Sequence, residues 1–139
     1  GWDTHQDNFQ RVQSNTAILD QALSALLDDL HTSGMLQETL VVLTTEFGRT
    51  PKINQNAGRD HYPKAFSAVL AGGGVKGGVV YGKTDDEGRE PTEDPVTIGD
   101  FNATIAYGCG LPLDQRLFTK TARPFTVANH GDPVIKLFS

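Results

Sequence analysis

Cysteine is nearly absent: Cys109 is the only one in 139 residues, so no intrachain disulfide can form, and one thiol does not decide the redox compartment. No apolar run approaches the roughly 18 residues needed to span a bilayer, and no signal-peptide pattern is visible. Positive charge is scarce, 12 Lys and Arg against 17 Asp and Glu. The net charge of −5 and a pI near 5.2 argue against nucleic acid or an anionic membrane as partner. There is no G-x-S-x-G and no evident Ser–His–Asp arrangement, which leaves serine-hydrolase chemistry without support. Internal repeats and low-complexity tracts are missing too. The chain opens on Gly1-Trp2-Asp3-Thr4-His5 without an initiator methionine or a leading helix or strand, so a fragment or processed product is expected.

What is present is an ordinary globular balance of apolar residues and glycine, enough for one α/β domain or part of a larger one spanning residues 1–139. The organising stretch is Leu40 to Pro51. Leu40-Val41-Val42-Leu43 is a short unbroken apolar run, the pattern of a strand covered on both faces in a mainly parallel sheet. It breaks into Thr44-Thr45-Glu46-Phe47-Gly48-Arg49-Thr50-Pro51, placing Glu46 and Arg49 where the chain leaves the sheet, the usual place for a ligand crevice. Phe66 to Ala71 reads as a second buried strand. Asn8 to Ser33 is the clearest helix, with Phe9, Val12, Thr16, Leu19, Leu23, Leu26 and Leu30 at alternating spacings of three and four. Gly34 is placed to end it in the left-handed conformation. Thr97 and Asp100 have capping-box spacing before a second helix whose buried face is Ile98, Phe101 and Ile105 and which ends by Gly108, Gly110 and Pro112. Val79 to Tyr81 and Phe125 to Val127 suggest short strands, and Val134 to Phe138 an apolar end packing back.

Three clusters carry chemistry: Asp3 and His5, Glu46 and Arg49, and Asp60 with His61. Singly, each is readily explained as a surface pair, a cap or a solvated turn. Together, carboxylates and imidazoles without thiolate suit zinc, manganese or another divalent ion. Such ions fit the hydrolysis of phosphate or sulfate esters, with Arg49 as the catalytic group that binds the equatorial oxygens. Gly77 to Thr84 matches the phosphate-loop pattern G-x-x-x-x-G-K-[ST], but the acidic turn Asp85-Asp86-Glu87 follows in place of a helix, so no nucleotide is expected there.

Gly1-Trp2-Asp3-Thr4-His5, Glu46-Phe47-Gly48-Arg49-Thr50-Pro51, Gly58-Arg59-Asp60-His61-Tyr62-Pro63 and Leu70 to Gly78, in this order, resemble the sulfatase-like domain-of-unknown-function family 1501. That family looks like a branch of the alkaline phosphatase superfamily. The resemblance implies the carboxyl-terminal portion of an alkaline-phosphatase-like three-layer fold. It also implies Asp3, His5, Glu46 and His61 as ligands of a divalent metal, zinc, manganese or calcium. Asp3 and His5 would take the place of the superfamily's aspartate–histidine pair, although one residue separates them where many relatives have three. Glu46 would stand where relatives carry Asp-His or Asp-Asn, but Phe47 follows it. The nucleophile of such enzymes lies in an amino-terminal half that nothing in this sequence matches. A metal-dependent hydrolase of small-molecule or glycan esters is therefore expected of the parent protein, with little activity in this chain alone. The family's frequent twin-arginine signal implies a periplasmic or extracytoplasmic parent. The rival reading is a non-catalytic module, a degenerate member that binds an anionic glycan or a protein partner.

Overall fold

The computed structural model describes all residues from Gly1 to Ser139. Helix α1 spans Asn8–Thr32, Ser33 caps it, and Gly34 follows at φ 77°, a conformation without steric cost only for glycine. The Ser33 and Gly34 amides donate to the carbonyls of Asp29 and His31, satisfying groups the last turn leaves orphaned. The covered stripe differs from the one expected. Val12, Leu19, Leu23, Leu27 and Leu30 are half-buried, whereas Phe9, Ile18 and Leu26 are 63%, 71% and 47% exposed.

Beyond a short 3₁₀ turn at Met35–Gln37, strand β1 (Val41–Leu43) begins a long antiparallel excursion. It continues through β2 (Gly48–Arg49), turns in the loop 50–60 and returns as β3 (His61–Tyr62) and β4 (Val69–Ala71). β2 pairs with β3, placing Arg49 opposite His61, and β1 pairs with β4, with Val42 opposite Leu70. The two apolar runs thus form strands of one sheet, as their composition suggested. The expected mainly parallel sheet is not what forms: every ladder is antiparallel and two-stranded. Nor is β1 covered on both faces, since Val41, Val42 and Leu43 are each half-buried and Val69 of β4 is exposed. The architecture is a mixed α/β arrangement of helices and small antiparallel ladders.

Strands β5 (Lys83–Thr84) and β6 (Pro91–Glu93) flank the acidic turn, where the Asp85 carboxylate accepts from the Arg89 and Glu90 amides. The glycine-lysine-threonine run therefore enters a hairpin, and no helix N-terminus follows to receive a phosphate. Val79 to Tyr81 forms no strand. Helix α2 (Ile98–Gly108) carries the expected capping box at Thr97 and Asp100. Its Ala103, Thr104 and Ala106 are three of the 6 buried residues, the others being Thr4, Asn8 and Gly58, around the start of α1. The expected strand at Phe125 to Val127 is displaced. β7 (Leu117–Phe118) pairs with β8 (Pro124–Phe125), and Val127 enters a 3₁₀ turn that runs to His130. The apolar end does pack back, with the Phe138 ring edge-on to Tyr107 at 5.2 Å.

Candidate metal centre

The first seven residues, which precede α1, are tied down together with Asn8 by the loop before β3. The Arg59 amide donates to the Thr4 carbonyl, and the Asp7 and Asn8 amides donate to those of Asn56 and Ala57. Thr4 is buried and its hydroxyl donates to Asn8 Oδ1 at 2.6 Å. At the far side, Asn15 of α1 donates to the Gly1 carbonyl. These bonds hold Asp3 and His5 against β3, which carries His61.

Asp3 Oδ1 lies 3.1 Å from His5 Nε2 and 3.0 Å from His61 Nε2, and the two imidazole nitrogens are 3.2 Å apart. The three atoms make a nearly equilateral triangle. Its edges are within a few tenths of an ångström of the about 3.3 Å that separates ligand atoms around a tetrahedral zinc with bonds of about 2.0–2.1 Å. Two imidazoles and one carboxylate suit zinc or manganese better than calcium, which prefers an all-oxygen shell. Three protein ligands with an open position is also the pattern of catalytic rather than structural sites. The residues present therefore fit a divalent ion. Asp3 has its acidity raised, its pKa held down to about 2, by hydrogen bonds first from His61 and then from Arg49. The shift favours the ionised form, the form in which a carboxylate can bind a metal.

Of the residues singled out from sequence, Asp3, His5 and His61 come together. Glu46 does not join them. It lines the same cavity of about 1260 Å³, bounded by α1, β1 and β2, but its carboxylate stands outside the triangle. β1 ends at Leu43, and the bend through Thr44 to Phe47 turns Phe47 toward the site instead, its ring 4.4 Å from that of His61. Arg49 is at the site, with Nη2 donating to Asp3 Oδ1 at 2.7 Å and Nη1 to the Arg59 carbonyl at 3.4 Å. One edge of the guanidinium thus orients a ligand, which leaves other N–H donors for a bound anion.

Sequence reasoning passed over Asn54 and Phe47 and attached no role to Asp60 beyond its place beside His61. Asp60 Oδ1 is 2.8 Å from His5 Nδ1 and accepts from Asn54 Nδ2 at 3.1 Å. These two bonds, His5 first, lower the pKa of Asp60. The available signal was the i, i+1 adjacency of a carboxylate to a ligand histidine, which by itself does not say which histidine the carboxylate serves.

The family described as Protein of unknown function (DUF1501) matches residues 1–138. The chain belongs to that family. The DUF1501 match takes in Asp3, His5 and His61. No curated protein and no solved structure matches this DUF1501 chain.

Proposed function

We propose that this chain carries the metal centre of a hydrolase acting on phosphate or sulfate esters, as a member of the alkaline phosphatase superfamily. The observation that carries the reading is the convergence of Asp3, His5 and His61 at mutual distances of 3.0 to 3.2 Å. A divalent ion bound there supplies a Lewis acid that polarises an ester oxygen and stabilises charge on the leaving group. Asp3 contributes an ionised carboxylate, and His5 and His61 contribute Nε2. Arg49, already anchored on Asp3, offers its remaining donors to the equatorial oxygens of a tetrahedral anion. The cavity of about 1260 Å³ beside them has room for an ester with an organic leaving group.

Of the four hydroxyls that line this cavity, those of Thr4, Thr44 and Thr45 are held in hydrogen bonds, and Ser67 is exposed with no histidine or carboxylate partner to activate it. Thr44 and Thr45 donate to the backbone carbonyls of Thr45 and Phe47, and neither contacts a histidine or a carboxylate. No side chain among these residues is therefore assigned as the nucleophile. The test is titration of zinc and manganese into the wild-type chain and His61→Ala at neutral pH. Wild type is expected to bind one ion, and His61→Ala to lose at least tenfold in affinity, since two ligands hold an ion poorly. Superimposable curves would remove the metal reading. They would favour the non-catalytic module, which needs no stoichiometric metal.

A further inference from the structure

His5 is the one ligand of the triangle whose second ring nitrogen has a partner. Its Nδ1 is 2.8 Å from Asp60 Oδ1, while Nε2 faces Asp3 and His61. A carboxylate oxygen can only accept, so the proton sits on Nδ1. The unprotonated nitrogen of the neutral ring is then Nε2, the atom in the triangle. Asp60 is itself held. Asn54 Nδ2 donates both to Asp60 Oδ1 at 3.1 Å and to the His5 carbonyl at 3.0 Å, gripping the two residues together. Asn54 Oδ1 in turn accepts from the Asn56 and Gly58 amides at 2.9 Å each, so the asparagine is locked in its own loop. The Asp60 backbone is fixed independently, its amide donating to Thr50 Oγ1 and its carbonyl accepting from the Thr50 amide. Trimming its side chain therefore leaves the main-chain path in place.

We propose that Asp60, oriented by Asn54, is a positioning residue of the metal centre: it selects the Nδ1–H tautomer of His5 and aims Nε2 at the ion. The inference rests on the metal-centre reading and extends it from the ligands to the groups that orient them. Outer carboxylates of this kind fix ring orientation and raise the basicity of the ligand nitrogen, and their removal typically lowers affinity about 10- to 100-fold. No comparable partner serves His61, whose ring lies against Phe47, so the effect is specific to His5.

The experiment compares the wild-type chain, Asp60→Asn and Asp60→Ala in two measurements. The first is competitive zinc titration against a chromophoric chelator. The second is ¹⁵N NMR of histidine-labelled, metal-free protein above pH 8, which reads the tautomer of each imidazole. Asp60→Ala is expected to lose about 10- to 100-fold in zinc affinity and to move His5, but not His61, from the Nδ1–H form toward a tautomer mixture. Asp60→Asn keeps an acceptor but no charge, and is expected to retain the tautomer and lose less affinity. Should Asp60→Ala unfold, Asp60→Asn carries the affinity comparison. Wild-type affinity in both variants, or an unchanged His5 tautomer in Asp60→Ala, overturns the positioning role while leaving the metal centre standing. Failure of the wild type itself to bind zinc overturns the centre, and the positioning role with it.

Discussion

Asp3 Oδ1 meets three donors or ligand atoms at once, from His5, His61 and Arg49, and it can do so only because the chain around it is placed to within a fraction of an ångström. Gly58 is where that placement is most sensitive. It is buried, and a Cβ built on it would stand 1.9 Å from the His5 carbonyl oxygen and 2.0 Å from its carbon. Its requirement is space, since its φ is not in the left-handed region. Gly58→Ala must therefore push residues 4 to 8 away from the loop 54–59 and pull His5 out of the triangle. The expected cost is about 1–3 kcal/mol of stability, as for other overpacked sites, together with loss of metal affinity. Urea unfolding and a zinc titration on the same sample check this. An alanine variant with wild-type stability and binding would mean that the first eight residues can move without disturbing the centre.

At the scale of elements, the two helices differ in how they are begun. The α1 N-cap, Asp7, makes no side-chain capping bond, and the start is held instead by the buried Thr4 to Asn8 hydrogen bond. Helix α2 has the reciprocal box: Thr97 Oγ1 accepts from the Asp100 amide, and Asp100 Oδ2 accepts from the Thr97 amide at 3.0 Å. Asp100 also ties in the C-terminal segment, its Oδ1 accepting from the Asp132 amide at 2.8 Å. The Thr97 side-chain bond first, then the Asp132 and Thr97 amides, hold the Asp100 carboxyl below its ordinary 3.8. A depressed carboxylate contributes stability that is fully present above its unfolded pKa and is lost as pH falls through the folded one. Wild type is thus expected to lose stability below pH 3.8 more steeply than Asp100→Asn, which lacks this titration. Thr97→Ala should cost about 1 kcal/mol above pH 3.8 and less at lower pH, because the bond it removes is the first cause of the lowered Asp100 pKa. Urea midpoints between pH 2.5 and 6, read by the far-ultraviolet circular dichroism of the helices, measure both. Parallel pH profiles for wild type and Asp100→Asn would show that the box contributes nothing to acid stability.

The molecule as a whole is open. It exposes 9963 Å², whereas a compact monomer of 15.0 kDa exposes about 7,000 Å², leaving roughly 3,000 Å² in excess. Exposed apolar side chains are spread along the chain, among them Phe9 and Ile18 of α1, Val69 of β4, Val80 and Phe118. No helix is long and apolar enough to cross a membrane. Because the urea m-value follows the area exposed on unfolding, and the unfolded chain exposes about 21,800 Å², m should be about a fifth below that of compact monomers of this length. A hydrophobic fluorophore should also bind the native chain. An m-value at the compact level, with no fluorophore bound, would mean that the chain is more compact in solution than this structure.

Short-range physics was enough for the features that the sequence alone determined. The period of α1, its stop at Gly34, the Thr97–Asp100 box and the two apolar runs that pair as β1 and β4 all depend on residues a few positions apart. The ligand types at Asp3, His5 and His61 were likewise readable, since thiolate is absent from the clusters. Tertiary structure alone decided the sense of strand pairing, because a three-residue apolar run reads the same in a parallel or an antiparallel ladder. It also decided the β2–β3 ladder, whose two-residue strands are too short to show any alternation, yet which sets Arg49 opposite His61. The bend after β1 excluded Glu46 from the ligand triangle and admitted Phe47 beside it, and the return of loop 50–60 over residues 4 to 8 brought Asp60 and Asn54 to His5. The contacts to His5 join residues 49 and 55 positions apart, where no local pattern specifies the partner and only the closed chain does.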